Sequence, residues 1–148
     1  MSDSKLKVGI VGPGGIGGLL AILLSNNNTK VICNNSKIDN KKFDFKLQSK
    51  IYGNKIKKIE FSNKKLKFFD IIFISVKYQN LKKAIEKIDT KTNKIIVPLL
   101  NGLSHIDILK KKFAQKIVVA NIGKTIAYKT KRNLVIHESK NYPEINIS

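Results

Sequence analysis

A doubly wound α/β domain with a mostly parallel sheet is what this chain of 148 residues encodes, on three counts. An apolar run, Val8–Val11, enters a glycine-rich turn and leaves it as a helix-forming run, Leu19–Leu24. A second run, Asp70–Val76 (DIIFISV), is almost continuously apolar, as a strand covered on both faces must be. From Leu6 to His137, strand and helix signals follow one another in the way a layered α/β sheet requires.

The turn reads Gly12-Pro13-Gly14-Gly15-Ile16-Gly17, the G-x-G-x-x-G pattern with a strand before it and a helix after it. Gly12 permits the sharp exit from the strand. Gly14, without a Cβ, lets the main chain come close to a pyrophosphate. Gly17 lets the helix lie tightly on the sheet. The amides near Gly15 and Ile16 would face the phosphates, with the positive end of the helix dipole behind them. Pro13 occupies a position that can spare an N–H, and its fixed φ stiffens the turn. The expected fold is therefore Rossmann-like, with residues 1–138 as a dinucleotide-binding domain and 139–148 as a tail.

In chain order, the first strand is Leu6–Val11 and the first helix Gly15–Ser25, stopped by Asn26-Asn27-Asn28. Lys30–Cys33 is a short β-branched strand whose end faces the adenosine ribose in such domains. An acidic residue there suits NAD and a basic one NADP. Here Asn34-Asn35-Ser36-Lys37 follow, and no carboxylate appears before Asp39. Asn34 and Lys37 are accordingly candidates for a 2′-phosphate, which favours NADP over NAD. Phe45–Ile51 and Lys55–Phe61 alternate as a hairpin around Gly53-Asn54 that extends or decorates the sheet. The apolar strand Asp70–Val76 ends in Lys77-Tyr78-Gln79. Asn80 is placed to cap a helix Leu81–Ile88. The strand Lys94–Leu99 runs into Leu100-Asn101-Gly102, and Ser104 is placed to cap a helix reaching Phe113. Ile117–Ala120 is expected to continue the sheet. Thr125–Tyr128 and Leu134–His137 are strands on either side of a lysine-rich turn. Residues 139–148 carry no periodic pattern. Right-handed crossovers then gather four loops on one rim: 12–17, 34–37, 77–79 and 101–102.

Composition narrows the function. Hydrophobic residues make up 42% of the chain, enough for a real core. Lys and Arg number 29 against 10 Asp and Glu, a net charge of +19. Nucleic acid is not the favoured partner: Arg132 is the only arginine, and the lysines lie in short runs scattered over many elements. The charge should nonetheless draw in a polyanionic cofactor. The single Cys33, at the end of an apolar strand, reads as a buried thiol, with no disulfide framework. Neither His105 nor His137 has a second ligand at metal spacing, so no metal is expected. No stretch reaches the length of a membrane span and no signal-peptide pattern precedes the first strand, so a cytoplasmic location is expected.

The chain resembles the N-terminal domain of ketopantoate reductase, 2-dehydropantoate 2-reductase. The resemblance rests on KVGIVGPGGIGG at Lys7–Gly18, ISVKYQ at Ile74–Gln79, PLLNGLSHIDIL at Pro98–Leu109 and ANIGKTIAYKTKRNLVIHES at Ala120–Ser139. The glycine motif is shared by many dehydrogenases, whereas Lys77 and Asn101 at this spacing are more specific. The resemblance implies reduction of a 2-keto acid to pantoate with NADPH, for pantothenate biosynthesis. It implies that Gly12–Gly17 hold the pyrophosphate, that Lys77 and Asn101 line the nicotinamide end, and that Ala127 adds a backbone contact. The family's general-acid lysine and most substrate contacts lie in a helical second domain, and this chain ends before it. No catalytic residue is therefore assigned here. Three readings stay open: the cofactor half of a reductase completed by another chain, a non-catalytic dinucleotide-binding or redox-sensing module, and a basic nucleic-acid binder. The uncovered surface of a half enzyme also suggests self-association or a partner.

Overall fold

The computed structural model describes residues 5–130, 133–142 and 144–147. Strand β1 (Leu6–Val11) leads through the glycine turn to helix α1 (Gly15–Leu24) and then β2 (Thr29–Asn34). A hairpin follows, β3 (Lys41–Ser49) and β4 (Lys55–Ser62). Then come β5 (Ile71–Ile74), α2 (Leu81–Glu86), β6 (Ile95–Pro98) and α3 (Ser104–Phe113). Four short strands close the chain: β7 (Ala120–Asn121), β8 (Ala127–Lys129), β9 (Leu134–His137) and β10 (Asn146–Ile147).

Eight strands form one sheet in the order β6-β5-β1-β2-β4-β3-β9-β8. The five from β6 to β4 are mutually parallel. β3 is antiparallel to β4, β9 is parallel to β3, and β8 is antiparallel to β9. The sheet is covered on two faces, as a doubly wound fold demands. On one face α1 spreads across β1 to β4 and reaches β8 and β9. There Leu19 and Ile22 meet Ile10, Phe45, Leu47 and Val135, all buried. On the other face α2 and α3 place Leu81, Ile85, Leu109 and Phe113 against Ile72, Ile74 and Ile96. Each such side chain stabilises the fold by about 1.5–3 kcal/mol on full burial. The run Ile71–Ile74 is entirely apolar because its side chains enter both core layers, Phe73 on the side of α1 and Ile72 and Ile74 on the side of α2 and α3. The hairpin has only one such layer. Phe45, Leu47, Ile59 and Phe61 point into it, and Lys42, Asp44, Lys46 and Lys58 stand exposed on the other side.

Several boundaries differ from expectation, each for a physical reason. β3 begins at Lys41, four residues before its alternation starts, because Lys41 and Lys42 still pair with Phe61 and Glu60. Asn80 makes no side-chain cap. Residues 78–80 form a 3₁₀ turn that feeds α2 instead. Ser104 is the first helical residue of α3, not its cap, and Leu103 holds the cap position without a side-chain acceptor. Ile117–Ala120 does not form a full strand of the sheet. Ile117 makes one bridge to Ile96, and β7 turns away to pair with β10, which lies in the segment expected to be a patternless tail. The lysine-rich turn includes Lys131 and Arg132, which lie outside the described residues.

Candidate functional site

The parallel core decides where the polar loops go. Val11 is level with Asn34 on one side and Ile74 on the other, and Ile74 is level with Pro98. The loops leaving β1, β2, β5 and β6 therefore emerge side by side at one rim. Two bonds continue past the strand ends: Ser75 N donates to the Val11 carbonyl and Leu99 N to the Ile74 carbonyl, both at 2.8 Å. The rim has its break in strand order beside β1, whose successive neighbours are reached in opposite directions, and α/β folds bind ligands at such a point.

The glycine turn is constrained from three sides. Gly12 has φ +91°, and a Cβ there would collide with the Ser75 carbonyl and come within 2.6 Å of Val76 Cγ1. Gly17 lies against the Gly12 carbonyl, which lets α1 start close to β1. Gly15 has a role the motif alone does not show. Its Cα faces the main chain of β8, and a Cβ would lie 2.6 Å from the carbonyl carbon of Ala127 and from Tyr128 Cα. Gly14 is the exception. A Cβ there would meet no atom within 4 Å. Gly14 N donates to the Gly12 carbonyl and its own carbonyl receives Gly18 N, both at 2.8 Å. Nothing among the described residues accepts a hydrogen bond from the amides of Gly15 or Ile16. An open space thus lies before two unengaged amides at the positive end of a ten-residue helix. Unengaged amides at a helix N-terminus are a general anion-binding arrangement.

The other expected residues divide. Lys77 and Asn101 both reach this rim, at the ends of β5 and β6, and both are exposed. Gly102, with φ +81°, lets the chain turn directly after Asn101. Ala127 is brought against the glycine turn by β8. Pro13 and Ile16 are half-buried within the turn. Lys37 is exposed beyond β2, its N–H held by Asn35 Oδ1 at 2.9 Å. Asn34 differs from the sequence reading. It is buried, and its amide donates to the carbonyls of Ser62 (3.2 Å) and Lys64 (3.0 Å), so its donors are engaged within the chain. Sequence reasoning missed the tip of β4, because nothing local in Lys55–Phe61 says that this strand lies parallel to β2 and ends at the rim.

Beside the rim a hollow of about 300 Å³ is bordered by Leu100, Asn101, Leu103, His105, Val119 and Ile147. His105 is almost fully buried, and its Nδ1 has no partner among the described residues. Burial holds this imidazole below its ordinary pKa and therefore neutral. His137 is 2% exposed. It is enclosed between β3 and β8, with Nδ1 2.9 Å from Ser49 Oγ. Two hollows of about 490 and about 500 Å³ lie along residues 122–126 with 138–142 and around Ser49 and Lys50, and no residue of the glycine turn lines either. Cys33 is fully buried, and burial pushes its thiol up to about 12, which makes it inert. Among the described residues no helix is long and apolar enough to cross a membrane.

Comparison with known proteins agrees with this fold. Residues 8–147 match the family described as Ketopantoate reductase PanE/ApbA. A 2-dehydropantoate 2-reductase from Geobacter metallireducens superposes with a TM-score of 0.71 at 19% identity, over 97% of this chain and 49% of that one. A dimeric ketopantoate reductase from Staphylococcus aureus gives 0.63 at 20% identity, over 95% and 46%. A D-mandelate dehydrogenase in complex with NADH gives 0.71 at 17% identity, over 95% and 45%. At these identities the likeness to the solved structures is one of fold. This chain spans about half the length of each. A search of curated proteins returns no match.

Proposed function

Since the chain belongs to the ketopantoate reductase PanE/ApbA family, we propose that it is the cofactor-binding half of an NADPH-dependent 2-dehydropantoate 2-reductase. One observation carries this reading: the open cradle at Gly14, with the unengaged amides of Gly15 and Ile16, shares a rim with Lys77 and Asn101. The residues fit a nicotinamide dinucleotide. Gly14, Gly15 and Ile16 would hold its diphosphate, and Lys77 and Asn101 its nicotinamide ribose. The reduced nicotinamide, when bound, supplies a hydride. The task of this chain is to hold that ring at a fixed place and face, so that a keto acid brought to the rim meets it in reacting geometry. The ammonium of Lys77 offers a charge for a phosphate or a substrate carboxylate. The amide of Asn101 offers both a donor and an acceptor.

Protonation of the product alkoxide needs a general acid within hydrogen-bond reach. We assign none to this chain, and propose that the acid and most substrate contacts belong to a second, helical part of the enzyme. The test is a fluorescence titration of the chain with NADPH, followed by assay with ketopantoate. The expected result is saturable binding without turnover, and turnover once a helical half is supplied. Absence of binding to both NADPH and NADH overturns the proposal. Turnover by this chain alone overturns its second part.

A further inference from the structure

The tip of β4 is fastened to the tip of β2 by a buried side chain. Asn34 is 6% exposed, and its Nδ2 holds the carbonyls of Ser62 and Lys64. Asn35 N donates to the same Ser62 carbonyl at 3.0 Å, and Lys64 N donates to Ser62 Oγ at 3.1 Å. Residues 62–64 thus curl around the end of β2, tied to it by three hydrogen bonds and closed within by a fourth. Asn34 lies level with Ser62 in the parallel pair, on the side of β2 away from β1. This segment therefore stands on the rim next to residues 35–38, where a dinucleotide on such a sheet places its adenosine ribose.

The residue held there is Lys64. It is exposed, as is Lys37 in the adjoining loop, and neither makes an ion pair among the described residues. The loop carries no carboxylate before Asp39, which is exposed and also in no such pair. The short polar residue of the second strand, Asn34, has its donors engaged and cannot offer them to a ligand. We propose that Lys64, supplied by the neighbouring strand and held in register by Asn34, reads the 2′-phosphate of NADP together with Lys37. Lys64 is the specificity-determining residue and Asn34 a positioning residue. The inference rests on the dinucleotide reading above and deepens it by naming what recognises the phosphate.

The experiment compares NADPH with NADH in fluorescence titrations of the whole chain at fixed ionic strength. The variants are Lys64→Ala, Lys65→Ala and Asn34→Ala, with circular dichroism on each. The unaltered chain is expected to favour NADPH. Lys64→Ala should weaken NADPH roughly three- to tenfold, the range for a charge-assisted contact open to solvent, and leave NADH unchanged. Lys65→Ala removes the same charge one residue away and should change the ratio less. Asn34→Ala removes both donors without adding a charge, releases residues 62–64, and should lower the preference although no lysine is lost. An equal loss of both cofactors in Lys64→Ala marks a bulk charge effect and overturns the proposal. So does an unchanged ratio, or a larger effect from Lys65→Ala. If the unaltered chain binds neither dinucleotide, the underlying reading fails first and this one with it.

Discussion

Glycines with one motif role have different structural roles here. Gly12 carries a positive φ and touches the β5 loop, so Gly12→Ala is expected to lower the melting temperature sharply. Gly14 faces open space, so Gly14→Ala should cost less stability while it weakens NADPH binding, because the methyl group fills the cradle. Melting curves and titration of the two variants separate folding from binding. The histidines give a second test. Burial holds both His105 and His137 below their ordinary value of 6.5. As pH falls past that value, the unfolded chain takes up these protons first. Stability is therefore full above about pH 6.5 and declines as pH drops toward the folded values, by at most about 1.4 kcal/mol per pH unit per histidine. Urea unfolding between pH 7.5 and about 5.5 checks the sign, since the chain has only these two histidines. At this scale the sequence was informative where chemistry is local. Gly12, Gly14 and Gly17 announce a turn by spacing alone. The contact of Gly15 with Ala127 joins residues more than a hundred positions apart, and no window of sequence contains it.

Elements were legible in proportion to their periodicity. The apolar runs at Val8–Val11 and Ile71–Ile74 and the alternation in the hairpin were read as strands, and strands they are. Pairing was less legible. That β4 returns parallel to β2, or that β9 joins β3, follows from pairing of the two hairpin edges with strands distant in sequence rather than from local pattern. Helix caps failed for a related reason. Asn80 and Ser104 have the right chemistry, but the 3₁₀ turn before α2 puts Asn80 in a helical backbone conformation at the cap position, and α3 starts one residue early, at Ser104 itself. One polar side chain holds two connections together. Asn93 is buried, donates to the carbonyls of Leu66 (3.0 Å) and Asp89 (2.8 Å), and accepts from Phe69 N at 2.9 Å. Asn93→Ala leaves Phe69 N and the Asp89 carbonyl without partners, while the Leu66 carbonyl keeps Asp89 N, and is expected to cost about 2–4 kcal/mol in chemical unfolding. The exposed pair Lys94–Asp70, although 2.7 Å long, should contribute less than about 1 kcal/mol.

For the molecule as a whole, charge and exposed apolar surface oppose each other. Leu103 and Ile147 border the hollow next to Asn101 and are 76% and 70% exposed, a surface suited to another protein. The net charge of +19 repels a second copy. Screening shortens that repulsion from about 10 Å at 0.1 M salt to about 3 Å at 1 M. Light scattering should show a monomer at low salt and association at high salt, while NADPH affinity falls over the same range. Opposite trends in the two measurements are the signature. Parallel trends would mean that the charge does not act on both.

The seating of β8 on the glycine turn also bears on the order of assembly. The wall behind Gly15 is made by residues 127–128, so a nascent chain exposes its opening motif long before the strand that closes over it leaves the ribosome. Such distant pairing slows folding. A ligand at this turn would then meet its complete wall only once residues 127–128 have been synthesised.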